Sequence, residues 1–61
     1  MNITITINTD NEAFRNAPEV EVKRILLKIC TKIEGFQTLQ EISAQKLYDY
    51  NGNLVGRVEV R

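Results

Sequence analysis

The chain holds one cysteine, Cys30, and no histidine. Those two facts remove most side-chain chemistry. Without an imidazole there is no histidine-based acid/base pair or triad. One thiol cannot build a Cys/His zinc site or an internal disulfide. Cys30 falls on the apolar stripe of a helix described below, so the expectation is a small core side chain; a reactive thiol needs exposure and nearby positive charge. Asp10, Asn11 and Glu12 place three oxygen-bearing side chains in a row but lack the spacing of a calcium loop. Gly35, Gly52 and Gly56 are too scattered to cradle a phosphate. Glutamates and lysines are present, yet no apolar pocket is evident to shift their pKa values. The reading is no catalytic residue, no metal ligand, no cofactor and no enzyme.

What remains is recognition. Tyr48, Tyr50, Leu54 and Arg57 gather around a turn near the end of the sequence. Aromatic side chains beside an arginine are the composition of binding hot spots, so these four are the candidate partner-binding residues. A second candidate interface lies on the helix. Val20 and Leu27 fall off its apolar stripe and share a flank. Arg24, Lys28 and Lys32 step by four into a basic line, which reads as a solvated face or as a contact for phosphate or an acidic partner. Eight basic and eight acidic side chains cancel. A nucleic-acid module usually carries a basic surplus, so nucleic acid is the less favoured partner.

These residues need elements to position them. Residues 1–8, MNITITIN, alternate strictly: Ile3, Ile5 and Ile7 point one way, Asn2, Thr4, Thr6 and Asn8 the other. β-branched residues suit a pleated surface, and the polar side predicts a sheet with one open face. Residues 9–16 form a polar connector, with Phe14 folding back onto the start of a helix. Asn16 is placed to cap that helix, with Glu19 completing a capping box and Pro18 in the first turn. The helix is expected to run to about Glu34, with Gly35 left-handed just beyond it. Val22, Ile25, Leu26, Ile29, Cys30 and Ile33 recur at spacings of three and four, and their stripe is expected to cover the isoleucine face of the first strand. Residues 36–45 read as a loop with a short turn that tucks Phe36 and Leu39 under the core.

The final stretch, LYDYNGNLVGRVEV, is a hairpin. Asp49-Tyr50-Asn51-Gly52 matches a type I turn with glycine in the left-handed position, closed by Asp49 opposite Asn53; a two-residue turn centred on Asn51-Gly52 is the competitor, and would shift the register by one. Its apolar residues change parity: Val55 is odd, Val58 and Val60 even. A bulge at Gly56–Arg57 resolves the conflict by resetting the alternation. Leu47, Val55, Val58 and Val60 then face the helix, and Tyr48, Tyr50, Leu54 and Arg57 face out. The fold class is α+β: residues 1–61 form a single small two-layer domain, β-α-β-β, with one helix packed on a three-stranded sheet.

A 61-residue chain has a small core. Self-association is its remaining aid to stability, so a homodimer is a working expectation. No apolar run approaches the length of a membrane span. The N-terminal stretch lacks the basic region of a signal peptide, and a lone thiol fits a reducing compartment. The setting expected from these features is cytoplasmic, in a host cell.

The segments ITITINTDNEAF, PEVEVKRILLKI and the terminal D-x-N-G-N-x-V-G hairpin together resemble small proteins of phages, prophages and other mobile elements. The resemblance covers most of the chain, but its motifs are fold-like and carry no catalytic residue. It implies a non-enzymatic protein that binds a host or phage partner stoichiometrically, including inhibitors of host defence of the anti-CRISPR or anti-restriction type. Two alternatives stand beside it: a small nucleic-acid binder using the open sheet face, and a homo-oligomeric structural or scaffolding protein.

Overall fold

The computed structural model describes residues 1–35 and 38–61. The elements follow in the order β1 (Ile3–Ile7), a single 3₁₀ turn (Glu12–Phe14), α1 (Pro18–Glu34), α2 (Leu39–Ile42), β2 (Lys46–Tyr48) and β3 (Leu54–Val60). The three strands form one sheet in the order β1-β3-β2, with both neighbouring pairs antiparallel. The first strand and the hairpin therefore share a sheet with β3 at its centre. The expected α+β architecture is what the chain adopts. Phe36 lies outside the described residues.

The turn closes as its residues dictate. The Gly52 N–H donates to the Asp49 carbonyl at 3.0 Å, and the Asp49 N–H to the Asn53 carbonyl at 3.0 Å. Gly52 adopts φ +84°, a conformation that glycine enters at little cost. The parity conflict is resolved by a bulge one residue earlier than expected. Leu47 pairs with Gly56 and Tyr48 with Leu54, so Val55 is the extra residue. Against β1, β3 runs regularly through Gly56, which faces Ile7. The side assignments hold: Leu47, Val55 and Val58 are buried, and Val60 packs against the core. Gly56 has a steric reason to be there, because a Cβ on it would overlap the Thr6 carbonyl.

Several local expectations are corrected. Ala17, not Asn16, occupies the helix N-cap, and no side chain caps it; Pro18 at the first position needs no N–H partner. Gly35 ends α1 at φ −75°, with its N–H on the Thr31 carbonyl at 3.0 Å, so the helix closes without a left-handed residue. The left-handed position falls instead on Ala44, at φ +65°. That bend aims the Ala44 N–H at the Val58 carbonyl and the Gln45 carbonyl at the Val58 N–H, which brings the chain alongside β3. In α2, Thr38 caps through its side chain, and Ile42 is buried more deeply than the half-buried Leu39. Phe14 is buried as expected.

The largest correction concerns where the helix sits. Glu21, Ile25 and Ile29 are its buried side chains, while Leu26, Cys30 and Ile33 are exposed. Ile3 and Ile5 are 48% and 40% exposed. The stripe covers β3 and the β2 side and leaves much of the isoleucine row open. The cause is polar: Glu21 and Arg24 are bound to the hairpin at Tyr50 and Tyr48, which turns that flank of α1 toward β2.

Candidate functional site

The hairpin tip is fixed by two buried carboxylates. Asp49 Oδ1 accepts the N–H groups of Asn51 and Asn53, each at 2.9 Å, and Asp49 Oδ2 accepts the Asn11 side-chain amide at 2.7 Å. Burial pushes the Asp49 carboxyl up, but the N–H groups of Asn53 and Asn51 and the amides of Asn11 and Asn53 outweigh it and hold the group below its ordinary value. Asn11 also caps the 3₁₀ turn through the Ala13 N–H, so one side chain joins that turn to the hairpin. Glu21 performs the same service from the helix. Arg24 Nε and an Arg24 terminal nitrogen donate to its two oxygens at 2.7 Å each, and the Tyr50 N–H donates to Glu21 Oε2 at 2.8 Å. Arg24 lowers the Glu21 pKa most, burial opposes it, and the Tyr50 N–H lowers it further.

Beside this hub runs a groove between α1 and β2, about 270 Å³ in volume. Ile25, Ile29 and Leu47 form its apolar floor; Lys28, Lys32 and Lys46 line it, with Gln45 and Tyr48 along the strand. The volume falls just short of the roughly 300–1,000 Å³ of small-molecule pockets, and suits one or two side chains of a larger partner. β2 is an edge strand, but its outward carbonyls are taken: that of Tyr48 accepts from Arg24 at 3.2 Å and that of Lys46 from the Gln45 side-chain amide at 3.4 Å.

The zero net charge conceals a sorting of charge. Arg15, Arg24 and Arg61 are paired with Glu12, Glu21 and Glu59 at 3.3, 2.7 and 2.9 Å. Among the described residues, all four lysines and Arg57 lack an ion-pair partner, and three of those lysines line the groove. Lys46 also stands directly across from Arg57 on neighbouring strands, a like-charge pairing that an anionic partner would relieve.

Tyr48, Tyr50 and Leu54 are 48%, 62% and 57% exposed, and Arg57 is exposed. Tyr48 and Leu54 are cross-strand partners. Leu54 also borders a separate hollow of about 220 Å³ with Asn8, Asp10, Asn11 and Val55. The helical candidates divide. Val20 and Leu27 are exposed, Arg24 is held by Glu21 and the Tyr48 carbonyl, and Lys28 lines the groove with Tyr48. One residue from each candidate surface therefore meets in one place. Lys32 was legible as part of the basic line. Lys46 had no signal until the register put it beside Arg57. The roles of Glu21 and Asp49 were hidden because acids in a first helical turn and at a turn's first position are ordinary choices.

No three histidine, cysteine, aspartate or glutamate side chains come together as a metal site among the described residues. No helix among them is long and apolar enough to cross a membrane. Comparison with protein-family models, curated proteins and solved structures returns no match for this chain.

Proposed function

We propose that this chain is a non-enzymatic binding protein of phage or mobile-element type, acting by stoichiometric protein–protein interaction, and that its partner is a component of a host defence system that it inhibits. The observation carrying the binding role is the lysine-lined groove between α1 and β2. An acidic segment of the partner fits it: an apolar side chain on Ile25, Ile29 and Leu47, carboxylates on the lysines. Asp49 and Glu21 fix the hairpin in advance, so binding spends little on ordering it. The mobile-element setting and the defence target rest on the resemblance of the strand-helix-hairpin layout and its D-x-N-G-N-x-V-G turn.

The test is affinity capture from host lysate with the wild-type chain and with a Lys28→Glu/Lys46→Glu variant of unchanged circular dichroism. The expected result is a one-to-one complex that the variant loses. A complex that survives both charge reversals removes the groove from the interface, and the absence of any stable protein complex sinks the reading. The unpaired lysines also support a second reading, binding of single-stranded nucleic acid with Tyr48 stacking on a base. Oligonucleotide binding that weakens steeply with salt would select it.

A further inference from the structure

The opposite edge of the sheet carries a different surface. Asn2 and Arg61 exchange both backbone hydrogen bonds, at 2.6 and 2.8 Å. In an antiparallel ladder bonded pairs alternate, so Thr4 and Thr6 also bond to β3, while the N–H and C=O groups of Ile3, Ile5 and Ile7 point to the open edge. Their side chains lie on the helix side of the sheet, because Ile5 pairs with the buried Val58. The groove puts the Lys28 and Lys32 flank of α1 over β2. The opposite flank, with Leu26, Cys30 and Ile33, therefore lies on the β1 side. Ile3, Ile5, Leu26 and Ile33 are 48%, 40%, 38% and 44% exposed.

From this geometry we propose that β1 is a homodimer interface, and that the occupant of this edge is the β1 strand of a second copy. The strand is self-complementary. Pairing antiparallel with its twin about Ile5 sets Ile5 against Ile5, Ile3 against Ile7, and gives every outward N–H and C=O a partner. Such a two-fold axis is perpendicular to the sheet, so both helix layers lie on the same side and the two isoleucine rows merge beneath the two α1 flanks. Ile3–Ile7 contains no charge, proline or bulge, so two copies meet without repulsion. The edge formed by β2 is only three residues long and carries Lys46, which disfavours self-pairing there. A standard interface takes about 800 Å² from each partner. That is roughly a sixth of this chain's 4549 Å² surface. The four half-open apolar side chains supply its centre, and the strand backbone with Asn2, Thr4, Thr6 and Asn8 supplies the rest.

Sedimentation of the full chain from about 1 to about 200 μM tests the proposal with no other partner present, so it is independent of the groove reading. The expected result is a monomer–dimer equilibrium in the wild type and in Lys28→Glu, and a shift to weaker association on the order of a hundredfold in Ile5→Lys. Ile3→Lys, at the more exposed position, is the second variant should Ile5→Lys not fold. Alkylation of Cys30 in the wild type gives a readout that needs no variant: its rate per thiol falls as the chain dimerises. A monomer at 200 μM, an alkylation rate independent of concentration, a dimer that the lysine variants leave intact, or assembly that continues past the dimer would each overturn it.

Discussion

The two edges of this sheet are built on opposite principles. The hairpin at the β2 edge is tied down by Asp49 and by Glu21, whose oxygens take N–H groups from Asn51, Asn53 and Tyr50 and side-chain groups from Asn11 and Arg24. Among the described residues, the β1 edge has no such polar fastening. It is held by its ladder to β3, and its isoleucines are only partly covered. The contrast explains how a chain with so small a core can present surface at both edges. Polar bonds fix the tip that carries the aromatic and basic groups of the proposed partner site. Apolar contact is left over where another strand can supply what is missing.

Gly56 joins the two halves, and replacing it should have the largest effect. A Cβ there meets the Thr6 carbonyl from within the β1–β3 ladder. Backbone cannot yield as a flexible side chain can, so Gly56→Ala is expected to cost about 3 kcal/mol or more. Denaturant titration measures this, and hydrogen exchange locates it: amides of β1 should lose protection before those of the hairpin. Equal loss in both would mean that the edges are one cooperative unit and not two differently held regions.

Much of this arrangement could be read from residue order. The isoleucine alternation, the proline that opens α1 and the Asp49–Gly52 turn act within a few residues, so they specify β1, the helix start and the hairpin directly. The parity of Val55 against Val58 demanded a bulge, and missed its position by one residue because a glycine marks a bulge's neighbourhood better than its register. The helix's rotation could not be read this way. Periodicity shows that Leu26, Cys30 and Ile33 share a stripe with Ile25 and Ile29, but not which half of a wide stripe is covered. That is decided by contacts from Glu21 and Arg24 to residues 24 to 29 positions away, Tyr48 and Tyr50. The groove depends on the same long-range fastening, which is why Lys28 and Tyr48 were legible as separate candidates and not as one site.

A medium-sized effect tests the fastening itself. Glu21 and Asp49 both have pKa values held below their ordinary 4.5 and 3.8 in the folded chain. A carboxyl depressed on folding stabilises the fold above its unfolded pKa and loses that contribution as pH falls through the folded value. Stability should therefore be level at neutral pH, begin to fall as pH drops past about 4.5, and continue falling below 3.8. Glu21→Gln should cost about 1.5–3 kcal/mol at neutral pH, because Arg24 loses its ionised partner. It should also flatten the upper part of the acid slope. Urea midpoints measured from pH 7 to pH 3 give both quantities. An unchanged slope in Glu21→Gln would detach this carboxylate from the stability of the tip.

The smallest effect is expected at the other edge, and it depends on concentration. Ile3 is 48% exposed, so Ile3→Thr removes little burial from a single chain while keeping a β-branched residue in the strand. At a few micromolar the cost should stay within about 0.5 kcal/mol. At a few hundred micromolar the wild type gains stability from association, since whatever binds only the folded form raises its melting temperature, and the variant gains less. The gap between the two thermal midpoints should thus widen with concentration. A gap as large in dilute solution as in concentrated solution would mean that Ile3 is already held by its own chain. The edge would then be closed, and the difference between the two sides of the sheet would reduce to one of sequence, with no difference in what each side is free to bind.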